Sequence, residues 1–344
     1  MSKKYININD FISDDYATTF IIGARGVGKT ISSFVDEIKY CYENDKKFIY
    51  LRRYQTEIDT LGLNLRLLSK LTGLTVMIDD VKDDTGRRTK MITAGLPTGV
   101  KDEDGNEKIK NVKNLGYLLA LSVAAKYKSN DYTGTHIIIY DEFIDIRGRE
   151  LKNETNLFLN FAMTVFRDFT KYKAVFLANA TNIFNCYFVD FNILPRGKIT
   201  RDRKLSIKIV MYQTSEELSA RNATPLAKMM TFISNGGDSS LTNEFVFETG
   251  FLGKQSAKAS CNLILRYSGK DYGLWKDYDG YVLSTKFDPS CDSKISLDEV
   301  NDEYEYRPTY VIVLGSMLVS KNLVFSDPMT RGVWFKLLKE KREI

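Results

Sequence analysis

The sequence predicts an α/β protein in which a doubly wound, mostly parallel sheet is followed by a linker and a small second α/β domain. Three observations lead to this prediction. Strand-like and helix-like segments alternate through the first two-thirds of the chain. A glycine-rich loop near the N-terminus joins an apolar strand to a helix, and the alternation changes beyond residue 212. With 344 residues and 43% hydrophobic content, the chain can form two cores.

The first domain is predicted over residues 1–208, with strands and helices in alternating order. Polar turns at 83–88 and 101–106 indicate hairpins that decorate the sheet as an insertion. The predicted strands lie at residues 18–22, 47–50, 75–78, 89–93, 115–121, 136–140 and 173–177, and the predicted helices at 31–43, 61–68 and 157–166.

The C-terminal third has a different pattern. Residues 214–230 are helix-like and polar, and a Ser-, Asn- and Gly-rich stretch follows, so a linker is predicted over 209–242. The second domain is predicted over 243–344. Its predicted strands lie at residues 261–267, 272–276, 281–287 and 310–314, and a basic helix is predicted at 332–340.

Residues 23–30 form a complete phosphate-binding loop, GARGVGKT, between the first strand and the first helix. Its glycines allow backbone N–H groups to converge on phosphate oxygens, and the following helix directs its positive N-terminal end at the same anion. Lys29 can reach the β- and γ-phosphates, and the Thr30 hydroxyl can bind Mg²⁺. The predicted nucleotide-binding residues are Gly23, Ala24, Arg25, Gly26, Val27, Gly28, Lys29 and Thr30.

Two acids, Asp141 and Glu142, directly follow the predicted strand at 136–140. In enzymes with this loop the first acid holds Mg²⁺, which keeps much of its hydration shell. A glutamate in the next position can orient or deprotonate the attacking water. The pair therefore favours hydrolysis over phosphoryl transfer, with Lys29 and Glu142 as catalytic residues and Thr30 and Asp141 as Mg²⁺ ligands.

Composition argues against several other classes. The single histidine, His136, makes a catalytic triad or a histidine-based metal centre unexpected. The four cysteines form no CxxC pair and are expected to be reduced, mostly packing residues and not a metal site. No apolar run approaches a membrane span, and the N-terminus lacks a signal-peptide pattern, which predicts a cytosolic protein without membrane contact. Residues 1–208 carry 33 basic and 26 acidic side chains, so an anionic partner would contact this part.

Five strings in order, IIGARGVGKT, FIYLRRY, IIIYDEF, TVFRD and FLANATNIFNCYF, resemble the DNA-packaging (encapsidation) ATPases of small tailed bacteriophages, the phi-29 type. These are terminase-like P-loop ATPases of the additional-strand, catalytic-glutamate (ASCE) group. The resemblance covers about the first 200 residues. It implies ATP and Mg²⁺ as cofactors, and a pentameric ring that moves double-stranded viral DNA through the portal of a prohead. The implied location is the host cytoplasm, transiently at the portal vertex, and a packaging RNA is a further candidate partner.

The resemblance also implies roles for single residues. Arg167, in TVFRD, corresponds to an arginine that reaches into the neighbouring subunit's site and stabilises charge on the transferring phosphoryl group. Asn179, in LANAT, corresponds to a residue that senses the γ-phosphate. Lys128 is implied at the subunit boundary, and Arg53 near the nucleotide or the pore.

Contacts with DNA are predicted to come from basic loop residues that bind phosphates without sequence preference. The candidates are Arg87, Arg88, Lys108 and Lys110. The resemblance implies an RNase H-like second domain. A nuclease of that fold needs clustered carboxylates, but the first strand of the domain, CNLILRY, carries no acid. The predicted role is docking without nuclease activity.

Two alternative functions remain open at this point. Another P-loop ring ATPase, such as a helicase, would be expected to show further ordered motifs for strand separation, and none is found. A P-loop kinase or switch NTPase comes from a different class. A guanine-specific switch should carry an NKxD-type string, and LANATN does not match it.

Overall fold

A computed structural model of the chain describes residues 6–12, 15–24, 26–82, 88–101, 107–127, 132–145, 149–167, 171–179, 185–195, 197–212, 229, 252–278, 280–320 and 322–342. The predicted helix at 214–230 and most of the predicted linker lie outside these residues. The chain divides into two compact units. The first comprises Met1–Ile183 and Pro195–Val246, and the second comprises Phe184–Leu194 and Phe247–Ile344.

The first unit contains a nine-stranded sheet with the order β3-β4-β5-β2-β6-β7-β1-β9-β8. Its strands are β1 (Thr18–Gly23), β2 (Lys47–Arg52), β3 (Thr75–Lys82), β4 (Arg88–Lys101), β5 (Glu107–Ala120), β6 (Thr135–Asp141), β7 (Ala174–Ala178), β8 (Ile199–Asp202) and β9 (Ile207–Tyr212). The neighbours from β5 through β2, β6, β7 and β1 to β9 run parallel, whereas β3, β4 and β8 pair antiparallel. The predicted doubly wound, mostly parallel sheet is confirmed.

Four helices of this unit are α1 (Lys29–Asn44), α2 (Gln55–Asp59), α3 (Leu65–Thr72) and α4 (Glu154–Val165). The central strands are buried along their whole length, which includes all six residues of β1 and all five of β7. Parallel strands covered on both faces need such continuous apolar, β-branched runs. Phe34 and Ile38 of α1 pack with Ile21 of β1 in one core, so α1 covers the sheet directly behind the glycine loop.

The predicted hairpins are present, and their strands are longer than their apolar segments. Predicted strands at 75–78 and 89–93 extend to β3 and β4, and β4 continues antiparallel into β5. Polar side chains extend the ladder because they pair across it: the Thr93 hydroxyl donates to Asp79 at 2.8 Å.

The second unit contains a six-stranded sheet with the order β14-β13-β10-β11-β12-β15. Its strands are β10 (Ser260–Tyr267), β11 (Lys270–Asp277), β12 (Gly280–Ser284), β13 (Lys294–Ser296), β14 (Glu305–Tyr306) and β15 (Leu323–Phe325), and its helices are α5 (Cys186–Asp190), α6 (Tyr310–Val319) and α7 (Pro328–Arg342). The strands β10, β11 and β12 form an antiparallel meander, to which β13, β14 and β15 add in parallel. This is the separate small α/β domain that the sequence predicts.

The predicted strand at residues 310–314 is wrong, since this run begins α6. Its YVIVL composition favours a strand, but tertiary packing overrides that propensity. Val311 and Leu314, three positions apart, face the core, whereas Ile312 and Val313 are 70% and 42% exposed. A spacing of three between buried residues is helical, and one long apolar run concealed it.

Residues 184–194 belong to the second unit, although the predicted first domain runs unbroken from 1 to 208. Within that unit α5 contacts α7, and Lys336 Nζ donates to the Asp190 carboxylate at 2.5 Å. Such a long-range contact leaves no local pattern in the sequence. Among the helices described here, none is long and apolar enough to cross a membrane.

Candidate active site

The glycine loop lies between β1, which ends at Gly23, and α1, which begins at Lys29. Gly26 and Gly28 have φ angles of 80° and 87°, in the left-handed region that favours glycine. Because β7 lies between β6 and β1, the residues that follow these parallel strands converge at one edge of the sheet. They line a cavity of ≈ 290 Å³, formed by Gly26, Gly28, Lys29, Thr30, Ile31, Asp141, Glu142, Ala178 and Asn179.

Lys29 is buried, and its ammonium group is held by oxygen atoms of the loop and of β7. Its Nζ donates to the carbonyls of Gly23 at 2.8 Å and Ala24 at 3.0 Å, and to Oδ1 of Asn179 at 3.0 Å. The structure therefore brings together two of the predicted catalytic residues, Lys29 and Asn179. A compact cation at the base of a glycine loop is suited to bind phosphate oxygens.

Thr30 and Asp141 meet directly beside the loop. The Thr30 hydroxyl donates to Oδ2 of Asp141 at 2.6 Å, and the Tyr50 hydroxyl donates to the same oxygen at 2.7 Å. Burial raises the pKa of Tyr50, and the negative charge of Asp141 raises it further, so Tyr50 remains a donor. A hydroxyl and a buried carboxylate at this separation are the oxygen ligands that suit Mg²⁺.

Glu142 is more exposed than Asp141, and its carboxylate is paired with Arg52. The Arg52 guanidinium contacts Glu142 through Nη1, contacts Asp141 at 3.4 Å through Nη2, and donates from Nε to the Tyr50 hydroxyl at 2.9 Å. Glu142 also has a φ of 56°, a left-handed conformation that is uncommon for a non-glycine residue. Its backbone N–H donates to Oδ1 of Asp141 at 2.9 Å, which ties the two acids together.

A buried network behind Glu142 supports this conformation. The Arg53 guanidinium binds Glu154 through Nε at 2.6 Å and Nη2 at 3.0 Å, and it donates to the Phe143 carbonyl at 2.5 Å. The Tyr140 hydroxyl donates to Glu154 at 2.7 Å. Arg53 thus binds the backbone next to Glu142 from inside the protein, and removing one partner of such a buried pair typically costs about 3–5 kcal/mol. Arg53 is buried, and its implied place near the nucleotide or the pore stays a prediction.

Comparison with known proteins identifies the family. A family model described as Podovirus DNA encapsidation protein (Gp16) matches residues 1–68 and 102–342. The chain belongs to this family. The DNA packaging protein of Bacillus phage B103 is 27% identical over 343 residues, which cover 96% of this chain and 99% of that protein. The DNA packaging protein of Bacillus phage phi29 is 27% identical over 354 residues and covers 98% of each chain.

Solved structures show the same fold. The bacteriophage Phi-29 viral genome packaging motor assembly superposes with a TM-score of 0.67 at 24% identity, over 98% of this chain and 99% of that chain. The Phi-28 gp11 DNA packaging motor also gives 0.67, at 20% identity over 98% of both chains. The Gp16 family model leaves residues 69–101 unmatched, and this segment holds β3 and β4, the hairpin predicted as an insertion.

The remaining predicted site residues of this Gp16-family chain lie away from the cavity or outside the described residues. Arg167 is exposed just after the end of α4 and does not line the cavity. Lys108 and Lys110 are exposed on β5, and Arg88 begins β4, where its side chain is not described. Arg25, Arg87 and Lys128 lie outside the described residues.

Sequence reasoning did not assign roles to Tyr50, Arg52 or Glu154. A signal for Arg52 was present, because it ends β2, and β2 pairs in parallel with β6, whose last residue is Asp141. Basic residues at the carboxyl end of a neighbouring strand are candidates to contact the acids. Glu154 had no such signal, since it lies at the start of α4 and reaches Arg53 only through the fold.

Proposed function

We propose that this member of the Gp16 family is an ATPase that drives double-stranded viral DNA into a prohead through its portal. One observation carries the proposal. Thr30 and Asp141 meet at 2.6 Å beside a glycine loop that holds Lys29, and Glu142 directly follows Asp141. Two relatives that match nearly the whole chain are named DNA packaging proteins, which supports the cargo.

The polar residues of the cavity have distinct roles in this proposal. The loop N–H groups and Lys29 bind the β- and γ-phosphates of ATP, and Thr30 and Asp141 hold Mg²⁺. When bound, Mg²⁺ supplies positive charge next to the phosphates. Glu142 orients water and accepts its proton. Because the Arg52 guanidinium contacts the carboxylate in this structure, Glu142 must turn away from Arg52 to accept a proton from water.

The remaining assignments concern the assembly. Asn179 lines the cavity and accepts a hydrogen bond from Lys29, which supports its role as a sensor of the γ-phosphate. Arg167 is exposed and is therefore free of core packing, as a residue acting in a neighbouring subunit must be. We assign it that role in a pentameric ring, with Lys128 at the subunit boundary. On the family resemblance we also propose the portal and a packaging RNA as partners, and the host cytoplasm as the location of the protein.

The second unit serves for docking without nuclease activity in this proposal. The acids in and after β11 are Asp271, Asp277 and Asp279. Asp271 forms an ion pair with Arg266 at 3.2 Å, and Asp277 accepts from the backbone N–H and the hydroxyl of Ser256, each at 2.7 Å. Such contacts hold the carboxylates as separate structural groups, whereas a two-metal nuclease needs them to converge. Asp279 lies outside the described residues.

Lys29→Ala is the direct test of nucleotide binding. Removing the ammonium group should lower the affinity for Mg·ATP about 100-fold, because hydrogen bonds to charged groups are worth about 1.5–3 kcal/mol and 1.4 kcal/mol corresponds to tenfold. Equilibrium titration with a fluorescent ATP analogue measures this. Lys39→Ala, which removes an exposed lysine from the same helix, is the matched control. A folded Lys29→Ala protein with unchanged affinity for Mg·ATP would contradict the proposed site. If double-stranded DNA does not change ATP turnover by the unsubstituted protein, a kinase or switch NTPase is favoured instead.

Binding to DNA should depend steeply on salt. Lys108 and Lys110 are exposed two positions apart on β5, where side chains at i and i+2 lie on one face. If each binds a phosphate, Lys108→Ala combined with Lys110→Ala should reduce the slope of log affinity against log salt by about 1.8. Lys270→Ala with Lys276→Ala, on β11 of the second unit, is the control pair. An unchanged slope in the first double variant would remove these lysines from the DNA contact.

A further inference from the structure

A second cluster of reactive side chains lies on the same helix and strand as the nucleotide site, at their opposite ends. Glu37 and Cys41 are one turn apart on α1, so their side chains lie on one face. His136 is the second residue of β6, five residues before Asp141, or about 17 Å along the strand. The Glu37 carboxylate oxygen, the Cys41 sulfur and a His136 ring nitrogen all lie within 4.8 Å of one another.

The burial of this cluster leaves a negative charge with little compensation. The Glu37 side chain is only 6% exposed, and Cys41 is fully buried. Within the described structure Glu37 has one hydrogen-bond partner, Nε2 of His136 at 2.7 Å, although a carboxylate can accept about four. Asp36, the residue before Glu37 on α1, places a second acid close to it. A buried carboxylate in such surroundings calls for a further positive charge.

We propose that Glu37, Cys41 and His136 form a Zn²⁺ site that joins α1 to β6, with water as the fourth ligand. Thiolate, imidazole and carboxylate are the three ligand types that Zn²⁺ accepts. The charges of a thiolate and a carboxylate cancel those of the dication, so the occupied site is neutral in its buried position. Thiolate sulfur selects Zn²⁺ over Mg²⁺, which keeps this site distinct from the one at Thr30 and Asp141.

The geometry requires only small adjustments. Tetrahedral Zn²⁺ with the usual bond lengths separates its ligand atoms by roughly 3.3–3.6 Å. The distance between His136 Nε2 and the Glu37 oxygen, now 2.7 Å, must therefore increase by about 0.6 Å. The Cys41 sulfur lies within 4.8 Å of both other ligand atoms and must come within roughly 3.6 Å of each. On binding, the Cys41 S–H bond breaks and its proton goes to solvent. Nε2 of His136, which donates its hydrogen to Glu37 without the metal, also gives up its proton, and the neutral imidazole that binds the metal carries its one proton on Nδ1. The Tyr40 ring lies against His136, with centroids 4.6 Å apart, and covers the imidazole.

The consequence concerns the nucleotide site. The first residues of α1 are Lys29 and Thr30, and the last residue of β6 is Asp141. A metal bound by Glu37, Cys41 and His136 would fix α1 against β6 at a distance from the nucleotide site. Lys29 and Thr30 of α1 would then keep a constant position relative to Asp141 of β6. The sequence predicts neither a cysteine metal site nor a histidine-based one, because its four cysteines form no CxxC pair and it has a single histidine.

The test uses the full chain with Cys261→Ser and Cys291→Ser as background, because these are the partly exposed thiols. After removal of metal with a chelator, Co²⁺ is added without nucleotide. We expect one equivalent to bind with a thiolate-to-cobalt charge-transfer band and intense tetrahedral d–d bands, and Zn²⁺ to displace it. Cys41→Ala and His136→Asn should each lose the bands and weaken Zn²⁺ binding by more than the roughly 10- to 100-fold typical of losing a ligand's hydrogen-bond partner.

Cys186→Ala, which removes another buried thiol, should keep the Co²⁺ absorption bands and the affinity for Zn²⁺. Thermal unfolding shows whether each variant is folded, and His136→Asn changes a partly exposed side chain in case Cys41→Ala does not fold. Three results would overturn the proposal: no stoichiometric binding, a spectrum without thiolate ligation, or bands that persist in folded Cys41→Ala or His136→Asn.

Discussion

Glu142→Gln is expected to bind Mg·ATP normally and to hydrolyse it about 10²–10⁴-fold more slowly, the range typical of a lost general base. The amide keeps the shape of the side chain and cannot accept the proton from water. The fold should survive, because Glu142 is exposed and an ion pair of this kind contributes at most about 1 kcal/mol. Single-turnover hydrolysis and equilibrium binding of ATP, measured on the same preparation, separate the two effects.

Glu305→Gln is a closely matched control. Glu305 is 57% exposed and paired with Arg307, just as Glu142 is 57% exposed and paired with Arg52, and it lies in the second unit. Its turnover should equal that of the unchanged protein. Asp141→Asn should instead weaken Mg²⁺-dependent binding, because Asp141 is the acid that contacts Thr30. Equal losses of binding and turnover in the Asp141 and Glu142 variants would show that the proposed division of roles is wrong.

Mixing Arg167→Ala with Glu142→Gln protein is expected to restore part of the ATPase activity that each variant lacks alone. An arginine that acts in a neighbouring site is worth about 10³–10⁵ in rate, or about 4–7 kcal/mol of barrier. Arg167→Ala keeps an intact cavity, and Glu142→Gln keeps a usable arginine. In a mixed ring some interfaces join an intact site to an intact arginine, so turnover should rise above the sum of the two separate proteins.

The mixing experiment needs a measurement of co-assembly and a control arginine variant. Co-assembly is established with differently labelled subunits, and Arg203→Ala, which removes another exposed arginine of the first unit, should retain full activity alone. If co-assembled mixtures never exceed the sum of their parts, Arg167 acts within its own subunit or only supports the fold. A single Arg167→Ala protein with normal turnover would also remove it from the catalytic machinery.

The nucleotide site could be predicted from the sequence because its determinants are local. A buried strand, three glycines, Lys29, Thr30 and a helix occur in one continuous segment, and their order dictates the geometry of the loop. The acids were predictable for a related reason. Parallel strands expose their carboxyl ends at one edge, so Asp141 and Glu142, placed directly after a strand, had to lie near the loop.

Contacts between distant segments were decided only by the tertiary structure. Glu154 reaches Arg53 across about a hundred residues, and residues 184–194 join the second unit because of their packing against α7. The run at 310–314 is helical, with Val311 and Leu314 buried three positions apart and Ile312 and Val313 exposed between them. Short-range patterns specify loops and strand ends, since these depend on adjacent residues. Which side chains are buried and which charges pair depends on contacts between distant segments, and these contacts form only when the whole chain packs.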